Sequence, residues 1–553
     1  MVRLFVVGCR TLFAAAVALA SSGSFAAAPQ GPVDGLIVKL KDAPSHERMA
    51  ALSAATRSAE ASRLNRVLQA SRMTEVRTRP AGRAAQHFSY GRQLKAAEAQ
   101  ELAERLRSQP EVEWVELNQR ERLLQSTVVP NDLYYSFVSS ADPGQWWLRP
   151  PGETAGDLPA SWGAPGVQSA WSLGLGSASA VVAVLDTGIT THEDLTGRFL
   201  TGYDFVTEAA YANDGNGRDT DPSDLGDWVS ADDVANDPGH FETCNVQDSS
   251  WHGTIISGIV AANTDNSTGV AGINWNGRVL PVRVAGKCGA TVLDITDGMR
   301  WAAGLSVAGA PVNNNPARII NISFGGSAAC GNLYQNTIDE LASIGVVVVA
   351  AAGNEQTAVT RPASCAGVVG VAALARDGLK AGYSNFGPRV VISTVGGDSA
   401  IDDGVLTVLN TGTQSPGTQT YGRVFGTSFA APITSGVISL MLSANPNLTV
   451  PQIISGLQVT ARPHVQATNV SACSATNAGA CVCTTSTCGA GVLDAEAAVR
   501  YAAGAPPDNG PIRGDSGGGG ALGWVWLTGL ALGVWGVWRA SGARRARHKR
   551  LAQ

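Results

Sequence analysis

Two hydrophobic rhythms divide this chain. Through its first quarter the apolar positions are sparse and periodic: Leu36 to Leu40 reads as a short strand, and Val112 to Leu117 alternates apolar and polar side chains with the period of two of a half-buried strand. Between them, Ala96 to Leu106 offers Ala97, Leu102, Ala103 and Leu106 to one side of an amphipathic helix. From about residue 170 the rhythm changes to unbroken runs of branched residues, Val181 to Leu185, Val279 to Val284, Ile319 to Ile322 and Val346 to Val349, separated by helical stretches. Such runs fit strands buried on both faces, as in a parallel sheet covered by helices. The pattern predicts a small α+β domain over 29–128 and a larger α/β domain over 129–505, joined where Val129-Pro130-Asn131-Asp132 punctuates the charged segment.

The two ends have a different character. Residues 1–28 carry Arg3 and Arg10, an apolar run from Leu12 to Ala20 and a small-residue end at Ala26-Ala27-Ala28, the pattern of a secretory signal peptide. A Gly-rich linker over 506–520 leads into ALGWVWLTGLALGVWGVW at 521–538, which has no charged residue and nearly spans a hydrocarbon core of ~30 Å. The basic tail 539–553 then predicts a cytoplasmic end, with everything before the helix facing outward. Export places the chain in an oxidising compartment. Of nine cysteines, Cys9 leaves with the signal peptide. Cys244, Cys288, Cys330, Cys365, Cys473, Cys481, Cys483 and Cys488 remain as disulfide candidates, an even number whose pairing the sequence does not give. An apolar content of 44% excludes a mostly disordered protein, and a net charge of −5 gives no support to nucleic-acid binding.

Candidate chemistry gathers in the larger domain. Asp186 stands at the end of a buried strand, at the sheet edge where open α/β folds bind ligands. His252 opens an apolar helix in HGTIISGIVAA, and Ser428 opens another in FGTSFAAPITSG, where a helix N-terminus favours developing negative charge. Asn354, after the run Val346 to Val349, has an amide able to donate to an oxyanion. Each has a plainer alternative, as turn former, structural histidine or helix cap. Together, in the order Asp, His, Ser, the segments VAVLDTGI, WHGTIISGIVAA, NISFGG, VVVVAAAGNE and GTSFAAP resemble the subtilisin-like serine peptidases over roughly 170–501.

That resemblance implies a subtilisin-like three-layer sandwich with a mostly parallel central sheet, acting as a serine endopeptidase on proteins or peptides. Ser428 is then the nucleophile, His252 its base, Asp186 the residue that orients the histidine, and Asn354 an oxyanion donor. Ser323, Gly325 and Gly326 match the segment that pairs with substrate backbone. The resemblance further makes 29–128 an inhibitor-type propeptide, a partner of the catalytic domain removed by a cut between about 124 and 130. The glycine run, apolar helix and basic end are similar to a GlyGly-CTERM sorting tail. This implies a Gram-negative cell envelope, signal peptidase and a rhomboid-type sorting protease as processing partners, and transient anchoring in the inner membrane before release.

Two further features complete the expectations. Between Asp204 and Asp248 lie twelve acidic residues against one arginine, and the hard oxygen donors Asp214, Asp219, Asp221 and Asp224 are candidate ligands for a structural Ca²⁺. The loop Asp265 to Val270 is a second candidate, matching a family loop that holds calcium largely through backbone oxygens. GDSGG at Gly514 to Gly518 imitates the nucleophile signature of an unrelated protease class, but Ser516 sits in a glycine hinge where no rigid site can be built. The competing reading is a membrane-anchored binding module of the same fold without turnover, which would be free to lose Asp186, His252, Asn354 or Ser428.

Overall fold

The computed structural model describes residues 33–73, 76–119, 128–136, 142–154 and 158–504. The signal segment, the Gly-rich linker with its GDSGG, the apolar stretch 521–538 and the basic tail lie outside the described residues.

In the N-terminal part, four strands at Val33–Leu40, Arg77–Ala81, Ala85–Ser89 and Val112–Gln119 form an antiparallel sheet in which the first lies between the third and the last. Helices Ala54–Ala70 and Ala96–Arg107 accompany it. The second helix buries Ala99, Leu102, Ala103 and Leu106 against Val33, Leu36, Val38 and Phe88. Leu102, Ala103 and Leu106 face the core as the sequence pattern placed them, but Ala97 is exposed and Ala99 takes its place in the stripe. The spacing 99, 102, 103, 106 is the i, i+3, i+4, i+7 row of one helix face.

The larger part is built on a seven-stranded sheet in the order Val390–Val395, Val369–Leu374, Val347–Ala351, Ile319–Ile322, Val182–Asp186, Val279–Arg283, Tyr203–Asp204. Every pairing within it is parallel. Val182 and Val184 face one side, packed on Ile256, Ile259 and Val260 of helix His252–Ala261 and on Ile433, Val437 and Met441 of helix Thr427–Ala444. Ala183 and Leu185 face the other, against Ile295 and Met299 of helix Val292–Ala302 and Ile338 and Leu341 of helix Asn332–Ser343. Side chains alternate along each strand and both faces are covered, which is why the strands read as unbroken apolar runs. The chain leaves Val182–Asp186 to build one flank of the sheet and then crosses to Ile319–Ile322 on its other side. The carboxyl ends of these two strands therefore mark the switch point where such sheets open a crevice.

The cysteines pair as Cys244–Cys288, Cys330–Cys365, Cys473–Cys481 and Cys483–Cys488. The last two bridges staple one segment, and with Leu374 and Val492 they form a small core of their own.

Candidate active site

Asp186 closes its strand at the switch point and is almost fully buried. Its Oδ1 accepts from the Thr187 N–H at 2.8 Å and pairs with His252 Nδ1, also at 2.8 Å. His252 is the first residue of its helix, and Trp251 before it turns the chain in with a left-handed backbone. Gly253 makes the approach feasible: a Cβ there would meet the Gly188 carbonyl oxygen at 2.2 Å and the Asp186 Cβ at 3.1 Å. The small residue after the histidine thus lets helix and strand end come close enough for the carboxylate to hold the ring.

Ser428 is the second residue of the eighteen-residue helix Thr427–Ala444. Its position places its N–H among the donors that a helix leaves open at its start. The Ser428 hydroxyl donates to the Ser323 carbonyl at 2.7 Å, while the Ser323 hydroxyl returns a bond to the Ser428 carbonyl at 2.8 Å. Asn354 follows the strand Val347–Ala351, and its Oδ1 accepts from both the N–H and the hydroxyl of Thr427, at 3.0 and 2.9 Å. Holding that oxygen turns the Asn354 NH₂ group away from Thr427. Asp186, His252, Ser323, Gly325, Gly326, Asn354 and Ser428 all line one cleft of about 590 Å³. Gly326 donates its N–H to the Arg361 carbonyl at 3.1 Å, and a Cβ on Gly325 would meet that same carbonyl at 2.4 Å, so this wall requires its glycines.

The structure adds residues that the motifs did not reveal. Asp227 accepts from the N–H and the hydroxyl of Ser250, at 2.6 and 2.8 Å, two residues before the histidine. Asp224 accepts from the Thr187 hydroxyl at 2.7 Å, and that hydroxyl accepts from the Gly253 N–H. Burial alone would depress the His252 pKa, but Asp186, with Asp227 and Asp224 behind it, outweighs burial and leaves the imidazole above its ordinary value. These carboxylates lie in the acidic segment that the sequence marks only as a dense run of charge.

The four proposed calcium ligands are not gathered around one point. Asp214 pairs with Arg283 at 2.8 Å. Asp219 is engaged by the Asp221 N–H and by Asn216, Asp221 by Ser223, and Asp224 by Thr187 and Gly226. Among the described residues, the trio of ligating side chains that converges within 4.8 Å is Cys473, Cys483 and Cys488, and these are bridged as disulfides. The acidic set therefore does not fit a single cation; each carboxylate is satisfied by a different partner.

The loop 265–270 is arranged differently. Asp194 accepts from the Val270 N–H and Asn266 Nδ2, at 2.8 and 3.0 Å, and Asp132 accepts from the Asp265 N–H at 2.9 Å. Burial pushes the Asp194 carboxyl up to about 6, with Asp132 and Glu193 adding to it. Asp132 Oδ1 is buried without a hydrogen-bond partner. Two buried carboxylates beside a loop, one with a free oxygen, fit a hard cation such as Ca²⁺.

The description of the Subtilase family matches residues 177–491. The chain is 40% identical over 414 residues to an extracellular protease of Xanthomonas campestris pv. campestris, covering 74% of this chain and 63% of that protein. It is 38% identical to an extracellular basic protease of Dichelobacter nodosus, covering 63% of this chain and 53% of that one. The match thus spans less than two thirds of either relative. Among solved structures, a protease from Pseudoalteromonas arctica aligns with a TM-score of 0.56 at 40% identity, covering 68% of this chain and all of that one.

Proposed function

Because the chain belongs to the subtilase family, we propose that it is a secreted serine endopeptidase, hydrolysing peptide bonds in proteins through an acyl-enzyme intermediate. The observation that carries this reading is the 2.8 Å contact of Asp186 with His252, in one cleft with Ser428 at a helix N-terminus. Substrate binding frees the Ser428 hydroxyl from the Ser323 carbonyl, and rotation about its Cα–Cβ bond brings Oγ to the imidazole, a contact that tightens only on catalysis. His252 takes the proton as Oγ attacks the carbonyl carbon, and Asp186 stabilises the imidazolium that forms. The Ser428 N–H and the Asn354 NH₂ receive the oxyanion. His252 then protonates the leaving amine, and a water molecule repeats the sequence on the acyl-enzyme.

In the same reading, residues 1–28 direct export, 29–128 serve as inhibitor and folding aid, and the enzyme frees itself by cutting between about 124 and 130. The stretch 521–538 anchors the precursor in the inner membrane until a sorting protease cuts the tail. A Ca²⁺ ion at the loop 265–270, with Asp132 and Asp194 as its acidic donors, stabilises the catalytic domain. The test is intact mass and N-terminal analysis of secreted wild type beside Ser428→Ala. The variant is expected to persist as the longer precursor. Normal maturation of Ser428→Ala in a protease-free host would overturn the assignment of the nucleophile. Peptide cleavage separates this reading from a non-catalytic binding module.

A further inference from the structure

The wall of the cleft beyond Ser323 carries a cation that the reaction does not use. Arg361 lines the same cleft as Ser428 and His252. Its guanidinium lies against Gly326, where an added Cβ would come 3.2 Å from Nε and 3.6 Å from Nη2. It stands over the ring of Tyr334, 5.9 Å from the centroid. Among the described residues no carboxylate forms an ion pair with it, although other arginines of the same part, such as Arg300 and Arg318, are bonded to carboxylate or carbonyl oxygens. The acidic side chains on the same cleft are already engaged: Asp186 with His252, Asp227 with Ser250, and Glu355, whose Oε2 accepts from the Asn354 N–H at 3.0 Å and from Asn385 Nδ2 at 2.6 Å.

From this placement we propose that Arg361 is a specificity-determining residue, selecting substrates with an acidic side chain three or four residues before the scissile bond. The proposal rests on the peptidase reading above and names the substrate class of that site. The reaction point is marked by Ser323, whose carbonyl holds the Ser428 hydroxyl. Gly326 is three residues further along the wall, and an extended chain advances about 3.3 Å per residue, so Gly326 and its guanidinium neighbour lie about 10 Å from the chemistry. A substrate strand laid along 323–326 therefore presents beside Arg361 the third or fourth side chain on its acyl side.

The arginine is held where a planar, two-pronged donor can meet a carboxylate. Its backbone carbonyl is tied to Gly326, its charged group rests on the Tyr334 face, and the disulfide Cys330–Cys365 closes the two segments four residues beyond Gly326 and Arg361 alike. Burial pushes the Tyr334 phenol up to about 12, so the ring beneath stays neutral and adds no competing charge. The cleft also carries apolar side chains, Val292, Ile295 and Phe324, and the hydroxyl of Thr360 beside the arginine.

The experiment uses secreted, matured enzyme and quenched fluorescent peptides identical except for Glu, Gln or Lys at the third or the fourth position before the cut. The readout is the ratio of kcat/KM values within each enzyme, which does not depend on the active fraction of a preparation. Wild type is expected to favour Glu over Gln about three- to tenfold at low salt at one of the two positions, falling towards unity in 1 M NaCl. Arg361→Lys should keep part of the preference, Arg361→Gln should abolish it, and Arg361→Glu should reverse it towards Lys. Equal rates for Glu and Gln in wild type, or a preference untouched in Arg361→Gln, would overturn this proposal while leaving the peptidase reading intact. Failure of wild type to cut any of the peptides or a denatured protein would overturn both.

Discussion

At the scale of single residues, the pH response of the site follows from the carboxylates gathered behind His252. The imidazole must be neutral to act as a base, so raising its pKa moves the acid limb of kcat/KM to higher pH. Asp227 contributes to that upward pull through space. Asp227→Asn should lower the histidine pKa and shift the acid limb towards lower pH; a pH–rate profile that stays in place would show that Asp227 only supports Ser250. Asn354 offers a second test. Its oxygen is fixed by Thr427, so its NH₂ is oriented before substrate arrives. Asn354→Ala should reduce kcat by about 10²- to 10³-fold with little change in KM, the signature of a group that acts in the transition state. The motifs exposed the reacting residues because each sits at a strand end or helix start within a short, distinctive segment. They could not expose Asp224 and Asp227, whose roles come from contacts to Thr187 and Ser250 across the fold.

At the scale of elements, burial on both faces of the sheet made the four central strands legible from their unbroken runs, within one or two residues at each end. The hairpin Val405–Asn410 with Gln419–Val424 was not legible: its second strand is exposed or half-buried throughout and has no apolar alternation to read. The helix Ala54–Ala70 escaped for the same reason, since Val67 is its buried residue. The calcium ligands expected in 214–224 do not converge in the structure, for a different reason. A run of acidic residues shows charge density, but whether the oxygens converge depends on partners such as Arg283 that lie far along the chain. Where the helix carrying His252 packs on the sheet, Ile259 is fully buried. Ile259→Ala should destabilise by about 2–5 kcal/mol, read as a lower denaturant midpoint with an unchanged slope. Because the same helix sets the position of His252, activity should fall well before the protein unfolds.

At the scale of the whole molecule, the start of the larger part is tied into its middle. The Asn131 N–H donates to Asp265 and its Oδ1 accepts from the Ser267 N–H, while the Tyr134 N–H reaches the Gly269 carbonyl. The indole N–H groups of Trp146 and Trp147 donate to the carbonyls of Gly404 and Leu406. A cation at the loop 265–270 would therefore fasten the chain start as well as the loop. Without the cation, the Asp194 carboxyl is pushed up to about 6, above its unfolded value, so ionisation costs stability as pH rises from about 4 through 6. Under the calcium proposal, Ca²⁺ would remove that cost by pairing with the ionised form. The rise in Tm on adding Ca²⁺ to chelated enzyme should consequently be larger at pH 8 than at pH 5; a Tm indifferent to chelation at both would remove the calcium proposal.

The arrangement that creates the active site also governs how the molecule forms. Val182 and Ile319 are hydrogen-bonded neighbours in the sheet, yet the chain between them contains two other strands of the same sheet, the helix bearing the histidine and the helix Val292–Ala302. Parallel pairing of strands so distant in sequence must close long loops before any contact rewards the closure, and such topologies are crossed slowly. Seen from the folded side, opening the domain means separating these central strands together with the helices packed on both of their faces, so a slow unfolding rate is expected and can be read directly from unfolding kinetics.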